Sequence, residues 1–289
     1  MFTATLIARP EGLETALVDA LRNAWGGETA VWLSRGEAAE FGLPHMPDNR
    51  WDVWEDLQRQ GVDLVIQPEA GRQKKMLLAD MDSTMIEQEC IDELAAEAGV
   101  GPHVAAITAR AMNGELDFEA ALIERVGLLK DLPETVIAKV LATRITLMPG
   151  GETLLATMRA TGGHAALVSG GFTAFTSAIG LRLGFDENHA NILLTENGKL
   201  TGEVARPILG KQAKVDALHD ICARLGITPA QALAVGDGAN DLGMLALAGT
   251  GVALHAKPLV AAQCQVRVNH GDLTALLYLQ GYAREEFAR

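Results

Sequence analysis

Aromatic residues are scarce in this chain. Phenylalanine, tryptophan and tyrosine together make up 4% of 289 residues, too few ring faces for the stacking platforms that hold single-stranded nucleic acid. Basic residues are also in deficit: 24 lysines and arginines stand against 37 aspartates and glutamates, a formal net charge of -13. No general basic field therefore draws the chain to nucleic acid or to an anionic membrane. The three cysteines, Cys90, Cys222 and Cys264, are far apart and form no CxxC pair, which excludes a disulfide framework and a zinc knuckle. They read as three reduced, mostly buried thiols of a cytoplasmic protein. No apolar run reaches the roughly 18 residues of a membrane span, and the opening MFTATLIARPEGLETALV has no positive stretch ahead of an apolar one. The expectation is a soluble, unexported protein. The seven histidines are scattered, without the spacing of a zinc site or a Ser-His dyad.

What is present is apolar sequence in an ordered pattern. At 48% hydrophobic content the chain has the material for one large domain or for two. Residues 1–70 read as a small α/β unit: strand TATLIA, a helix entered at Pro10 and stopped by Gly-Gly, strand ETAVWLS, a helix over DNRWDVWEDLQRQG from Asp48 to Gly61, and strand VDLVIQP ended by Pro68. Such alternation over so short a length predicts a ferredoxin-like sandwich. The polar piece EAGRQKK that follows reads as a linker.

From Met76 onward, short apolar strands alternate with turns and helices, most clearly in MLLAD, AALVSGG and ALAVGDG. Near-continuous apolar strands separated by helices predict a parallel sheet covered on both faces, whose ligands gather beyond the carboxyl ends of the strands. Residues 76–289 form this second region. Within it, about 86–145 hold four helical segments, too many for one crossover, and read as a cap inserted over that edge. ANILLTENGKLTGEV predicts a hairpin turning at Asn197-Gly198.

Asp80 ends the first apolar strand and Asp82 follows two residues later, a costly pairing of like charges. Helix capping by Asp82, Ser83 and Thr84 accounts for one acid and leaves Asp80 wanting a counter-charge. GDGAND supplies Asp237, Asn240 and Asp241 after another buried strand. If the two loops share a sheet edge, Asp80 and Asp237 converge on one hard cation, and oxygen ligands suit Mg2+. VSGG offers the Ser169 hydroxyl and backbone N–H groups as a small phosphate cradle after a third strand, although Ser-Gly-Gly is a common turn. Lys214 reads as a surface lysine on its own and, beside these loops, as a point charge for phosphate.

Together DMDST, SGG, Lys214 and GDGAND, in that order, resemble the motifs of the haloacid dehalogenase superfamily, and within it the phosphoserine phosphatases. EQECIDELAAEAG, ITARAMNGELDFEAALIERVGLLKDLP and AKPL extend the resemblance from about Met76 to the C-terminus. It implies a Rossmann-like parallel sheet with a helical cap, and hydrolysis of O-phospho-L-serine to L-serine and phosphate, the last step of serine biosynthesis. Asp80 would be the nucleophile that becomes an aspartyl-phosphate, and Asp82 the general acid and then base. Mg2+ would be held by Asp80, the backbone carbonyl of Asp82, and Asp237. Asp241 would hold a metal-bound water or orient Lys214. Ser169, Gly170, Lys214 and Asn240 would grip the phosphoryl group. In the cap, Glu89 would meet the substrate ammonium, with Glu87 as a competitor, and Arg125 the carboxylate; Met112 and Phe118 would close over the substrate.

Three other readings compete. A phosphotransferase, or a phosphatase for another small phosphorylated amino acid, would keep the chemistry and change the partner. A signalling receiver also stores phosphate on a strand-end aspartate; Asp82 and the inserted cap speak against it. The N-terminal unit resembles the amino-acid-sensing module called ACT, or serves as a structural or homodimerising element.

Overall fold

A computed structural model describes residues 1–112 and 115–288. The first four strands are β1 (Phe2–Ala8), β2 (Val31–Ser34), β3 (Ala38–Leu43) and β4 (Val62–Pro68), with α1 (Thr15–Ala24) and α2 (Arg50–Arg59) between them. They form one sheet of order β2-β3-β1-β4, antiparallel throughout its pairings. The chain order βαββαβ is compatible with a ferredoxin-like sandwich. Its core joins Leu6, Phe41, Leu43 and Leu64 of the sheet to Val18, Leu21 and Leu57 of the helices.

Two expectations for this region need correction. β3 was not foreseen, because RGEAAEFGL mixes glycines and glutamates with its apolar residues; the strand buries Ala38, Ala39, Phe41 and Leu43 while its glutamate stays partly outside. EAGRQKK is no loose linker. Arg72 pairs with Glu40 at 2.9 Å, Lys74 donates its N–H to Gln280, and Lys75 donates its own to the Gln231 carbonyl.

The second region opens with β5 (Met76–Ala79), followed by α3 (Cys90–Glu97), α4 (Gly101–Met112), α5 (Phe118–Gly127) and α6 (Thr135–Thr143). These are the four helices that 3.6-residue periodicity predicts. Then come α7 (Gly151–Ala160), β6 (His164–Phe172), α8 (Thr173–Leu183), β7 (Glu187–Asn191), β8 (Leu193–Glu196), β9 (Lys199–Val204) and α9 (Lys211–Leu225). β10 (Ala232–Gly236), α10 (Leu242–Leu247), β11 (Thr250–Leu254), α11 (Pro258–Ala261), β12 (Val266–Val268) and α12 (Ala275–Leu279) complete the chain's main elements. The six-stranded sheet has the order β12-β11-β10-β5-β6-β7. Its pairs β10–β11, β11–β12 and β6–β7 run parallel. β5 and β10 are buried at every residue, as strands covered on both faces must be. β8 and β9 form the hairpin at Asn197-Gly198, where φ values of 50° and 74° meet the requirement of a type I′ turn.

By contacts, the chain divides into two compact units: Met1–Leu78 with Pro149–Ala165 and Leu218–Arg289, and Ala79–Met148 with Ala166–Ala217. In the first, Asp63 of β4 is fully buried. Its carboxylate accepts the backbone N–H groups of Asn269, His270 and Gly271, each at 2.9 Å. Among the described residues no helix is long and apolar enough to cross a membrane.

Candidate active site

Asp80 is the residue that follows β5, and it is buried. Lys214, one turn into α9, is only 2% exposed, and its Nζ lies 2.6 Å from Asp80 Oδ1. The surface reading of Lys214 is thus overturned: desolvating an ammonium is tolerated here because a carboxylate faces it.

Asp82 stands in a different setting. It is half-buried; Oδ1 accepts the Cys90 backbone N–H at 2.8 Å, and Oδ2 accepts the Ser169 hydroxyl at 3.1 Å. The capping expectation is right in kind and wrong in place. No helix follows Ser83 directly; Asp82 reaches the first N–H of α3 eight residues on. The chain turns back through Ser83, whose φ is 55°, and the Ser83 hydroxyl donates to Glu89 Oε1 at 3.0 Å. Burial pushes the Cys90 thiol well up, and the carboxylates of Asp82, Glu89 and Glu93 add to it, so this cysteine is no nucleophile near neutral pH.

Ser169, Gly170 and Gly171 lie inside β6, not after it. The β6–β7 ladder is regular to Val168↔His189, breaks, and resumes at Phe172↔Asn191, so the three residues form an irregularity in the strand. The Gly171 N–H donates to Ser169 Oγ at 2.8 Å. A Cβ at Gly171 would stand 2.8 Å from Asp82 Oδ2 and 3.0 Å from Ser169 Oγ, and one at Gly170 would stand 3.0 Å from the Phe118 ring. A side chain at either position would have to displace those groups. Phe118, at the start of α5, is 36% exposed and so is no ordinary core residue. The side chain of Met112 lies outside the described residues.

In the loop after β10, Asp237 and Asp241 are buried and Asn240 is half-buried. Asp241 Oδ2 accepts the Gly238 N–H at 2.9 Å. Asp80 after β5, and Asp237 and Asp241 after β10, are each buried carboxylates, the kind of group that holds a metal ion. An oxygen-only donor set fits a hard divalent cation such as Mg2+.

Arg125 is half-buried on α5, and its Nε donates to the Ala121 carbonyl at 3.2 Å. Burial pulls the guanidinium down, while Asp92 and Glu89 push it up. Asp92 was not foreseen. It stands one helical turn after Glu89, a spacing that puts both on one face. Crowding by neighbouring atoms raises its carboxyl although its surface stays accessible, and Arg125 opposes the rise. Glu87 is exposed, and its backbone N–H is bound to the Thr146 carbonyl. Asn191 was also missed: it is buried at the end of β7 and donates to the Gly170 carbonyl. A lone asparagine in ANILL has no charge or spacing signal that would single it out.

Comparison with known proteins gives the family. The haloacid dehalogenase-like hydrolase family matches residues 77–246. A phosphoserine phosphatase of Archaeoglobus fulgidus is 41% identical over 223 residues, 76% of this chain and 64% of that protein; the chain thus spans less than two thirds of that relative's length. The crystal structure of a HAD family hydrolase from Salmonella enterica serovar Typhi superposes with a TM-score of 0.87 at 32% identity, covering 96% of this chain and 98% of that one. A phospho-aspartyl intermediate analogue of phosphoserine phosphatase has a TM-score of 0.66 at 41% identity, over 71% of this chain and 98% of that one. On sequence and fold together, the chain belongs to the haloacid dehalogenase-like hydrolases.

Proposed function

We propose that this chain is a phosphoserine phosphatase, hydrolysing O-phospho-L-serine to L-serine and phosphate as the last step of serine biosynthesis in the cytoplasm. The observation that carries the reading is the unequal setting of its two acids. Asp80 is buried against Lys214 at 2.6 Å, whereas Asp82 is half-buried and shares a hydrogen bond with Ser169.

Asp80 attacks phosphorus, and the bond from phosphorus to the serine oxygen breaks as Asp82 gives that oxygen its proton. Water then attacks the aspartyl-phosphate; Asp82 takes a proton from it, and the bond from phosphorus to Asp80 breaks. Asp82 Oδ1 accepts the Cys90 N–H and Oδ2 the Ser169 hydroxyl; when Ser169 turns its hydroxyl to the phosphoryl group, Oδ2 is released and is the oxygen that carries the proton. Ser169, Gly170, Lys214 and Asn240 bind the phosphoryl oxygens, where charge spreads in the transition state. Asp80, the backbone carbonyl of Asp82, and Asp237 would hold Mg2+, which when bound would offset the repulsion between carboxylate and phosphate. Asp241 orients Lys214. Glu89 receives the substrate ammonium and Arg125 its carboxylate, and Phe118 covers the phosphate loop. The N-terminal sheet, whose edge strand β2 exposes Val31, serves pairing between two copies of the chain.

The test is phosphate release from a panel of phosphomonoesters, with and without Mg2+, for the parent and for Asp80→Asn with its fold checked by circular dichroism. L-phosphoserine should be the preferred substrate, chelation should stop the reaction, and Asp80→Asn should lose at least about 10³-fold. Equal rates on generic sugar phosphates would remove the substrate assignment. Most activity surviving in Asp80→Asn would remove the covalent route.

A further inference from the structure

Asn191 is 2% exposed, and the reaction above gives it no role. Its Nδ2 donates to the carbonyls of Gly170 at 2.9 Å and Leu209 at 3.2 Å, and its Oδ1 accepts the Leu209 N–H at 2.7 Å. One amide thereby joins two backbone segments that are distant in sequence. On one side, the irregularity in β6 sets three residues, Ser169 to Gly171, against the single residue Ala190 of β7. Such a bulge takes backbone groups out of the ladder, and a carbonyl freed at a half-buried position needs another partner; Asn191 supplies it at Gly170. On the other side, both polar groups of Leu209 are held, which fixes the direction of the chain as it enters α9, and α9 carries Lys214.

The Phe118 ring lies against the same two segments, 3.0 Å from where a Cβ would stand on Gly170 and 3.5 Å from one on Gly210. The segments that Asn191 ties together are therefore also those beneath Phe118.

We propose that Asn191 is a positioning residue that sets the spacing between the Ser169–Gly170 segment and Lys214, and so the fit of the site to a phosphoryl group. This rests on the phosphatase reading. Asn191 touches no reacting atom; it acts through the two backbone segments. A shift of an ångström in a positioned group costs about 10²-fold in rate. The carboxylate of Asn191→Asp has the same shape and still accepts the Leu209 N–H, but it sets an oxygen against two carbonyl oxygens.

The experiment compares the parent with Asn191→Ala and Asn191→Asp in turnover of L-phosphoserine, in the affinity for inorganic phosphate by calorimetry with Mg2+ present, in the Mg2+ concentration for half-activation, and in thermal midpoint. We expect kcat to fall about 10²-fold and phosphate to bind about tenfold more weakly in both variants, with half-activation by Mg2+ within about twofold of the parent. The isosteric Asn191→Asp keeps the test open if Asn191→Ala does not fold. A folded variant that matches the parent in turnover and in phosphate affinity overturns the proposal. So does a loss that shifts the Mg2+ response equally and follows the thermal midpoint, because that is the signature of general damage. If the parent hydrolyses no phosphomonoester, the phosphatase reading falls, while the difference in phosphate affinity still decides the role of Asn191.

Discussion

Asp82 has both oxygens engaged before any substrate arrives, by the Cys90 N–H and the Ser169 hydroxyl. A Cβ at residue 171 would stand 2.8 Å from Asp82 Oδ2, so a side chain there has to move that carboxylate. Gly171→Ala should therefore push the proton-carrying oxygen out of place and lower kcat about 10²-fold, with a thermal midpoint within a few degrees of the parent. Steady-state kinetics on L-phosphoserine check this, and a variant keeping half of the parental kcat would show that the crowding is harmless. The two acids themselves were legible in the sequence, since an acidic end to MLLA makes no sense in an unpaired strand. Their partners were less so. Lys214 is 134 residues from Asp80 in sequence, and only a tertiary contact turns a lysine from a solvated helix residue into a buried counter-charge.

Helices α3 to α6 show how far periodicity reaches. Their apolar residues recur at helical spacing, and all four lie where that spacing put them. β3 shows where it stops: its apolar residues alternate, but with glycine and glutamate between them the stretch has no strand signal stronger than its turn signal. The β8–β9 hairpin was legible because Asn197-Gly198 favours positive φ by itself. Arg125 on α5 interacts with Glu89, just before α3, and with Asp92 in its first turn. Arg125→Ala should raise KM for L-phosphoserine about 10- to 100-fold, the worth of a charge-assisted hydrogen bond. Phosphoethanolamine, which has the ammonium and no carboxylate, should be affected much less. Equal losses on both substrates would show that Arg125 does not read the carboxylate.

Over the whole chain, the net charge of -13 means that the proposed anionic substrate would have to be held by individual cations such as Lys214 and Arg125. Large-scale stability rests on contacts equally invisible to pattern. Asp63 of β4 holds three backbone N–H groups more than 200 residues away, at Asn269, His270 and Gly271. Asp63→Ala would leave the buried Gly271 N–H and the half-buried ones of Asn269 and His270 without the carboxylate, a loss of about 3–5 kcal/mol. The thermal midpoint should fall by about 10 °C, measured by circular dichroism; a change under about 2 °C would show that water replaces the carboxylate at no cost. What the sequence determined by itself is whatever depends on near neighbours: helices from a 3.6-residue period, buried strands from apolar runs, the Asn-Gly turn, and the acidic motifs at strand ends. Only the tertiary structure decided which charges are paired, that Ser169 lies in an irregular strand, and that Asn191 and Asp63 hold distant backbone together. Local patterns arise from steric and hydrophobic preferences written every few residues, whereas a buried polar contact exists only when folding brings both partners out of water to the same place.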